Sequence, residues 1–157
     1  MSLETIATIG HWSLVAMLIS VILFDLRYMR LPNTLAMLFV VVFVLTVSWS
    51  LPIAELATRV GIAVIVLVIG IAANAAKLLG GGDVKILSAL MLFVPRGELL
   101  AFAFILCISM IIGIAALLAL RRAMRAHSTV WRGLQTSGRY PMGISIGVAG
   151  LILALRP

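Results

Sequence analysis

The sequence predicts an all-α, polytopic membrane helix bundle of about six transmembrane segments. Three observations predict it. Hydrophobic residues make up 64% of the chain and the mean hydropathy is +1.26, whereas a water-soluble domain is nearer half apolar. Several runs of about 16 to 25 residues carry almost no charge, and each is long enough to span a bilayer as a helix. The charged residues gather in the short stretches between those runs. The 157 residues are read as a single integral-membrane domain, 1–157, with no separate soluble domain.

The first segment runs from Ile6 to Tyr28. It lacks the basic n-region and small-residue cleavage site of a signal peptide, so it is read as a retained helix. A short loop carries Arg27, Arg30 and Pro32. The second segment runs from Asn33 to Leu51. A loop with Pro52, Glu55 and Arg59 leads to the third, from Val60 to Leu79. Gly80, Gly81 and Gly82 separate it from a fourth, from Val84 to Pro95. The fifth runs from Glu98 to Leu120. A basic stretch, Arg121 to Arg139, precedes the last, from Pro141 to Leu155.

The fourth and sixth segments are short. From Val84 to Pro95 a helix would be about 18 Å long, against a hydrocarbon core of about 30 Å. One resolution is that such a helix begins below the membrane surface. Irregular backbone at that depth must be buried in protein or line a wet cavity. The expectation is a recessed glycine turn, with Asp83 in a water-filled pocket.

The net charge is +7 and the pI about 11.2. In a soluble protein this would suggest nucleic acid. Here the cations lie in loops, so they report orientation, and the expected partner is the lipid bilayer rather than nucleic acid. Arg27, Arg30, Lys77, Lys85, Arg121, Arg122, Arg125, Arg132 and Arg139 fall on one side of the six-segment topology. Arg59, Arg96 and Arg156 fall on the other, with Glu4, Glu55 and Glu98. Lys and Arg favour the cytoplasmic side, so the N-terminus is expected outside and both aspartates, Asp25 and Asp83, at the cytoplasmic face.

The chemical inventory is thin. His11 and His127 fall on opposite sides. Cys107, the single cysteine, lies in an apolar helix without a basic partner, so it is a poor nucleophile. No metal-ligand spacing and no phosphate-binding glycine loop occurs, and neither a metal nor a cofactor is expected. Two carboxylates on one side remain. Charged groups at membrane depth are costly and usually functional. Two carboxyls held close share a proton, so that one takes a proton from water while the other donates to a carbonyl oxygen. The glycines fit such a site, since they allow φ > 0 and close approach of a peptide.

Each feature also has a structural reading. Asp83 could cap a helix beginning at Val84, with Gly80 to Gly82 capping the helix before it. Asp25 could be a helix-end charge paired with Arg27 or Arg30, although a carboxylate near a helix C-terminus opposes the macrodipole. Lys85 reads as a snorkelling anchor. Asn74 reads as a helix-to-helix hydrogen bond. Trp12, Trp49 and Trp131 read as interface anchors, and the stretch Arg121 to Arg139 as an orientation signal in contact with lipid headgroups.

Three motifs resemble a known family. "FDLRYMRLPN" resembles the first motif of prepilin peptidases, an aspartate followed by basic residues and then hydrophobic–Pro–Asn. "GGGDVK" is similar to their G-x-G-D-x-K motif. "YPMGISIGVAG" is similar to their C-terminal Pro–aromatic–Gly segment, with Met142 where an aromatic is common. The resemblance spans nearly the whole chain, in family order. It implies an aspartic endopeptidase of the bacterial cytoplasmic (inner) membrane that removes the basic leader from type IV prepilins and pseudopilins. It maps the catalytic aspartates onto Asp25 and Asp83, with Gly80 and Gly82 shaping the turn. It makes Lys85, Pro32, Asn33, Pro141 and Gly143 candidates for architecture or substrate binding. Larger members carry a cytoplasmic domain with paired cysteines between the first two helices and also N-methylate the product. This chain has neither, so it resembles the short form associated with Flp-type pili, without methyltransferase activity.

Three other readings stay open at this level. A presenilin-like intramembrane protease would keep the chemistry and change the substrate. A small proton-coupled transporter, or a structural subunit of a secretion complex, would not cleave peptides.

Overall fold

The computed structural model describes residues 3–123 and 140–156. His127, Trp131, Arg125, Arg132 and Arg139 lie outside the described residues. All regular structure among those described is helical. We number the α-helices α1 (Leu3–Tyr28), α2 (Asn33–Val42), α3 (Ile53–Ala75), α4 (Gly81–Met91), α5 (Leu99–Ala123) and α6 (Met142–Ala154). Among the described residues four helical stretches are long and apolar enough to cross a membrane: Glu4–Tyr28, Asn33–Ser50, Ile53–Ala75 and Arg96–Leu120. The segments expected to be short, α4 and α6, are short.

Segment boundaries shift in one informative place. Glu55 and Arg59 were expected in a loop, but α3 starts at Ile53 with Pro52 as its N-cap. Proline pre-sets the φ of a helix start and has no N–H to satisfy there. The first turns of α3 are therefore helical despite their charges. Arg59 donates from Nε to Glu55 Oε1 at 2.9 Å, one helical turn away.

The second segment is not a uniform α-helix. After Val42 it widens into a π-helical turn, Phe43–Val47, and tightens into a 3₁₀ turn, Ser48–Ser50. Thr46 donates back to the Val42 carbonyl at 2.6 Å and packs on Gly10 of α1, where an added Cβ would lie 2.8 Å from the threonine Cβ. A hydroxyl bonded to its own preceding turn competes with regular helix geometry.

The two short helices are the core of the bundle, and the long ones face outward. In α4, Val84, Ile86, Ser88, Ala89, Leu90 and Met91 are buried; in α6, Gly143, Ser145, Ile146, Gly147, Ala149 and Gly150 are. The long helices instead expose apolar side chains such as Ile65, Ile69, Phe104 and Ile111. An exposed apolar face is what a helix presents to lipid.

Small residues let the inner helices approach their neighbours, as they do in membrane bundles. Along α3 and α4, Gly70 lies against Val84, and Ser88 donates to the Ala63 carbonyl at 2.8 Å. Between α1 and α6, a Cβ on Gly147 would lie 2.5 Å from Ile22 Cγ1 and 3.0 Å from the Leu18 carbonyl. Phe93, just past α4, meets Phe39 and Phe43 edge-on at 6.1 and 5.4 Å, tying α2 to the same core. These contacts bring the end of α1 and the starts of α4 and α6 to one end of the bundle.

Candidate active site

Asp25 sits in the last turn of α1 and Asp83 in the first turn of α4. Together they line two adjoining cavities. One, of about 770 Å³, is closed by Asn74, Lys77, Gly80, Met110, Tyr140 and Met142 among others. The second, of about 300 Å³, runs between the α1–α2 loop and the glycine turn, lined by Met29, Arg30, Leu31 and Gly80 to Gly82. The aspartates are close enough for their charges to act on each other. They stand where the two cavities meet.

Neither aspartate has an ion-pair partner among the described residues. The expected pairing of Asp25 with Arg27 or Arg30 does not form: the Arg27 guanidinium lies over the Tyr28 ring, 5.5 Å from its centroid. Asp25 is 4% exposed, and its Oδ2 is buried with no hydrogen-bond partner. A buried carboxyl without a cation is uncommon unless it has work to do.

The capping reading of Asp83 is corrected. The helix begins at Gly81, the N-cap is Gly80, and no side chain caps it. Asp83 is the third residue of the helix, where an acidic group is favoured by the dipole. Nor do the glycines cap α3. That helix ends with Lys77 in the left-handed conformation, φ 60°. Its amide bonds the Asn74 carbonyl at 2.9 Å and the Leu78 amide bonds the Ala73 carbonyl at 3.0 Å. This is the helix stop usually built on glycine, made here with a lysine. Met29 ends α1 the same way, at φ 50° with its amide on the Asp25 carbonyl.

The glycine run is needed for space rather than for φ > 0, which none of Gly80 to Gly82 adopts. A side chain on Gly80 would run into the Asp83 carboxyl. A Cβ on Gly82 would lie 3.0 Å from Leu31 Cβ and 3.1 Å from its carbonyl oxygen. Gly82 thus lets the α1–α2 loop lie on the start of α4. Gly81 meets only the Asn74 amide at 3.6 Å, an ordinary contact.

Two expected roles change. Lys85 is not merely a lipid anchor: its Nζ donates to Asn33 Oδ1 at 2.8 Å, joining the first motif to the second. Asn74 does not bridge helices. It donates to the Leu79 carbonyl at 2.7 Å and holds the turn that leads into the glycines. Pro32 is the N-cap of α2 and Pro141 that of α6. Gly143 lies against the Asp25 carboxyl, with the backbone N–H groups of Gly143 and Ile144 beside it.

Sequence reasoning passed over Tyr140. Its hydroxyl pairs with Ser145 Oγ, its ring end fills the space over Gly113 of α5, and it walls the larger cavity. Burial pushes its hydroxyl up; the Ser145 bond opposes this and the nearby Asp25 charge adds to it. An aromatic next to the Pro–x–Gly pair was the signal available. No group of three or more His, Cys, Asp or Glu able to hold a metal occurs among the described residues.

A profile of the type IV leader peptidase family matches residues 12–118, a span that holds both aspartates and the glycine turn. The chain belongs to the type IV leader peptidase family, and with it to the peptidases. Comparisons with curated proteins and with solved structures gave no significant match. Membership sets aside the transporter and structural-subunit readings.

Proposed function

We propose that the protein is an aspartic endopeptidase of the cytoplasmic membrane that removes the basic leader from type IV, Flp-type prepilins and pseudopilins. The observation that carries this reading is the pair Asp25 and Asp83, both without an ion-pair partner among the described residues and both lining the same two cavities. One carboxyl takes a proton from water as the oxygen attacks the scissile carbonyl. The other, protonated, donates to the carbonyl oxygen. Collapse of the tetrahedral adduct returns a proton to the departing amine nitrogen, and the dyad is reset. No covalent enzyme intermediate is required.

The cation count supports a cytoplasmic position for both aspartates, with the N-terminus outside. A prepilin leader is basic and precedes an apolar helix, so its scissile bond lies near that membrane surface. The two cavities flank the dyad as an extended peptide would require, one segment on each side of the cleaved bond. The connection between α1 and α2 carries no cysteine, which supports cleavage without N-methylation of the product.

The test is co-expression with a prepilin from the same genome, comparing wild type, Asp25→Asn and Asp83→Asn by leader removal. Asparagine keeps the shape and cannot exchange the proton. The wild type should cleave, and each variant should lose at least about a thousandfold in rate. Full cleavage by either variant would reject the dyad.

A further inference from the structure

The N-terminal turn of α6 lies beyond the residues that the family profile matches, yet it is built against Asp25. The first N–H groups of any helix have no partner within it. Here two of them, on Gly143 and Ile144, lie beside a carboxyl on another helix. Asp25 occupies the last turn of α1, where its own helix's carbonyl ends oppose negative charge. The start of α6 offsets that with the opposite end of a helix dipole.

Gly143 makes the approach possible. A Cβ there would lie 2.8 Å from Asp25 Oδ2 and 3.0 Å from both its Cβ and Cγ. All three nearest atoms belong to Asp25. The other close glycines of α6 face ordinary packing: Gly147 meets Ile22 and Leu18, and Gly150 meets Leu18 and Leu90. The turn is itself fixed. Pro141 at the N-cap is fully buried, and Tyr140 is braced on Ser145 and Gly113. Asp25 Oδ2 is buried without a hydrogen-bond partner among the described residues and is the atom nearest to the Gly143 Cβ position.

We propose that the N-terminal turn of α6 is the seat of Asp25, and that Gly143 is a positioning residue for catalysis. Its missing side chain leaves the room in which the Asp25 carboxyl lies against the first turn of α6. This rests on the dyad reading above and adds a residue that acts through Asp25 without touching substrate.

The experiment measures kcat, KM and Tm for leader removal by detergent-purified full-length enzyme. Gly143→Ala should lower kcat about a hundredfold, since a displacement near 1 Å costs that much. KM should stay within about twofold, and any fall in Tm should be smaller than in Gly147→Ala, whose Cβ would come closer to a neighbouring side chain and meet backbone as well. Gly147→Ala is the packing control: Tm should fall, with kcat at a permissive temperature within a few-fold of wild type. Ile144→Pro replaces one N–H beside Asp25 with the ring Cδ, a second way to displace the carboxyl, and proline is tolerated in a first turn. It should lower kcat about tenfold, and it serves if Gly143→Ala does not accumulate. Wild-type kcat in both Gly143→Ala and Ile144→Pro would overturn the proposal. So would a Gly143→Ala loss that only tracks Tm, as in Gly147→Ala. With Asp25→Asn inactive, either result rejects the positioning role alone; an active Asp25→Asn rejects the dyad itself.

Discussion

The two ends of the bundle handle charge in opposite ways. At one end Glu55 and Glu98 each have an arginine. Glu55 binds Arg59 and also accepts the Arg96 amide at 3.2 Å, and Glu98 faces Arg156 at 3.5 Å. Arg59 is buried and reaches the Leu92 and Phe93 carbonyls just past α4, at 3.5 and 3.4 Å. At the other end Asp25 and Asp83 have no ion-pair partner among the described residues, although Arg27, Arg30, Lys77 and Lys85 are near in sequence. The cations there are turned to other work, Arg27 over Tyr28 and Lys85 on Asn33. The paired end is a clamp on the C-terminal end of α4. The unpaired end holds the same helix's N-terminus open to two cavities. A short buried helix needs both: one end fixed, the other available.

The largest effect that sharpens this contrast is the loss of either aspartate, at least about a thousandfold in cleavage rate with little change in Tm. A large fall in Tm in Asp25→Asn would make the open end a second clamp. Next comes Arg59→Leu. It removes the buried cation from the clamp and should lower Tm on the order of 5 °C, with kcat at a permissive temperature within about threefold of wild type. If kcat fell as far as in Asp83→Asn, the two ends would not be separable. The smallest effect is expected for the Lys85–Asn33 bond. An exposed hydrogen bond contributes about 0.5–1.5 kcal/mol, which is about two- to tenfold in kcat/KM if it acts only by setting the two motifs in register. Lys85→Met and Asn33→Ala should each show that loss, and the double variant should be no worse than either. An additive double variant would mean that the two side chains act separately.

Much of the site was legible in the chain. Asp25 and Asp83 stood out because a carboxylate is costly beside apolar helices, and the cation count put them on one side. The reasons given for their neighbours were less secure. Gly80 and Gly82 read as flexible and prove to be small, one beside Asp83 and the other beside Leu31. Lys85 read as a lipid anchor because nothing local shows that a side chain 52 positions earlier accepts its proton. Glu55 and Arg59 read as loop because charge resembles an interruption, until their spacing of four closes an ion pair on one helix face.

What the sequence alone determined is whatever follows from composition and period: helices, the shortness of α4 and α6, and two acids without a soluble role. Hydrophobic length and charge placement are local quantities, and they are written residue by residue. What only the tertiary structure decided is which ends meet. That the short helices are the core, and that the start of α6 lies on Asp25 although more than a hundred residues separate them, depends on packing of small residues between helices. Close packing is a property of pairs of surfaces, and no single segment carries it.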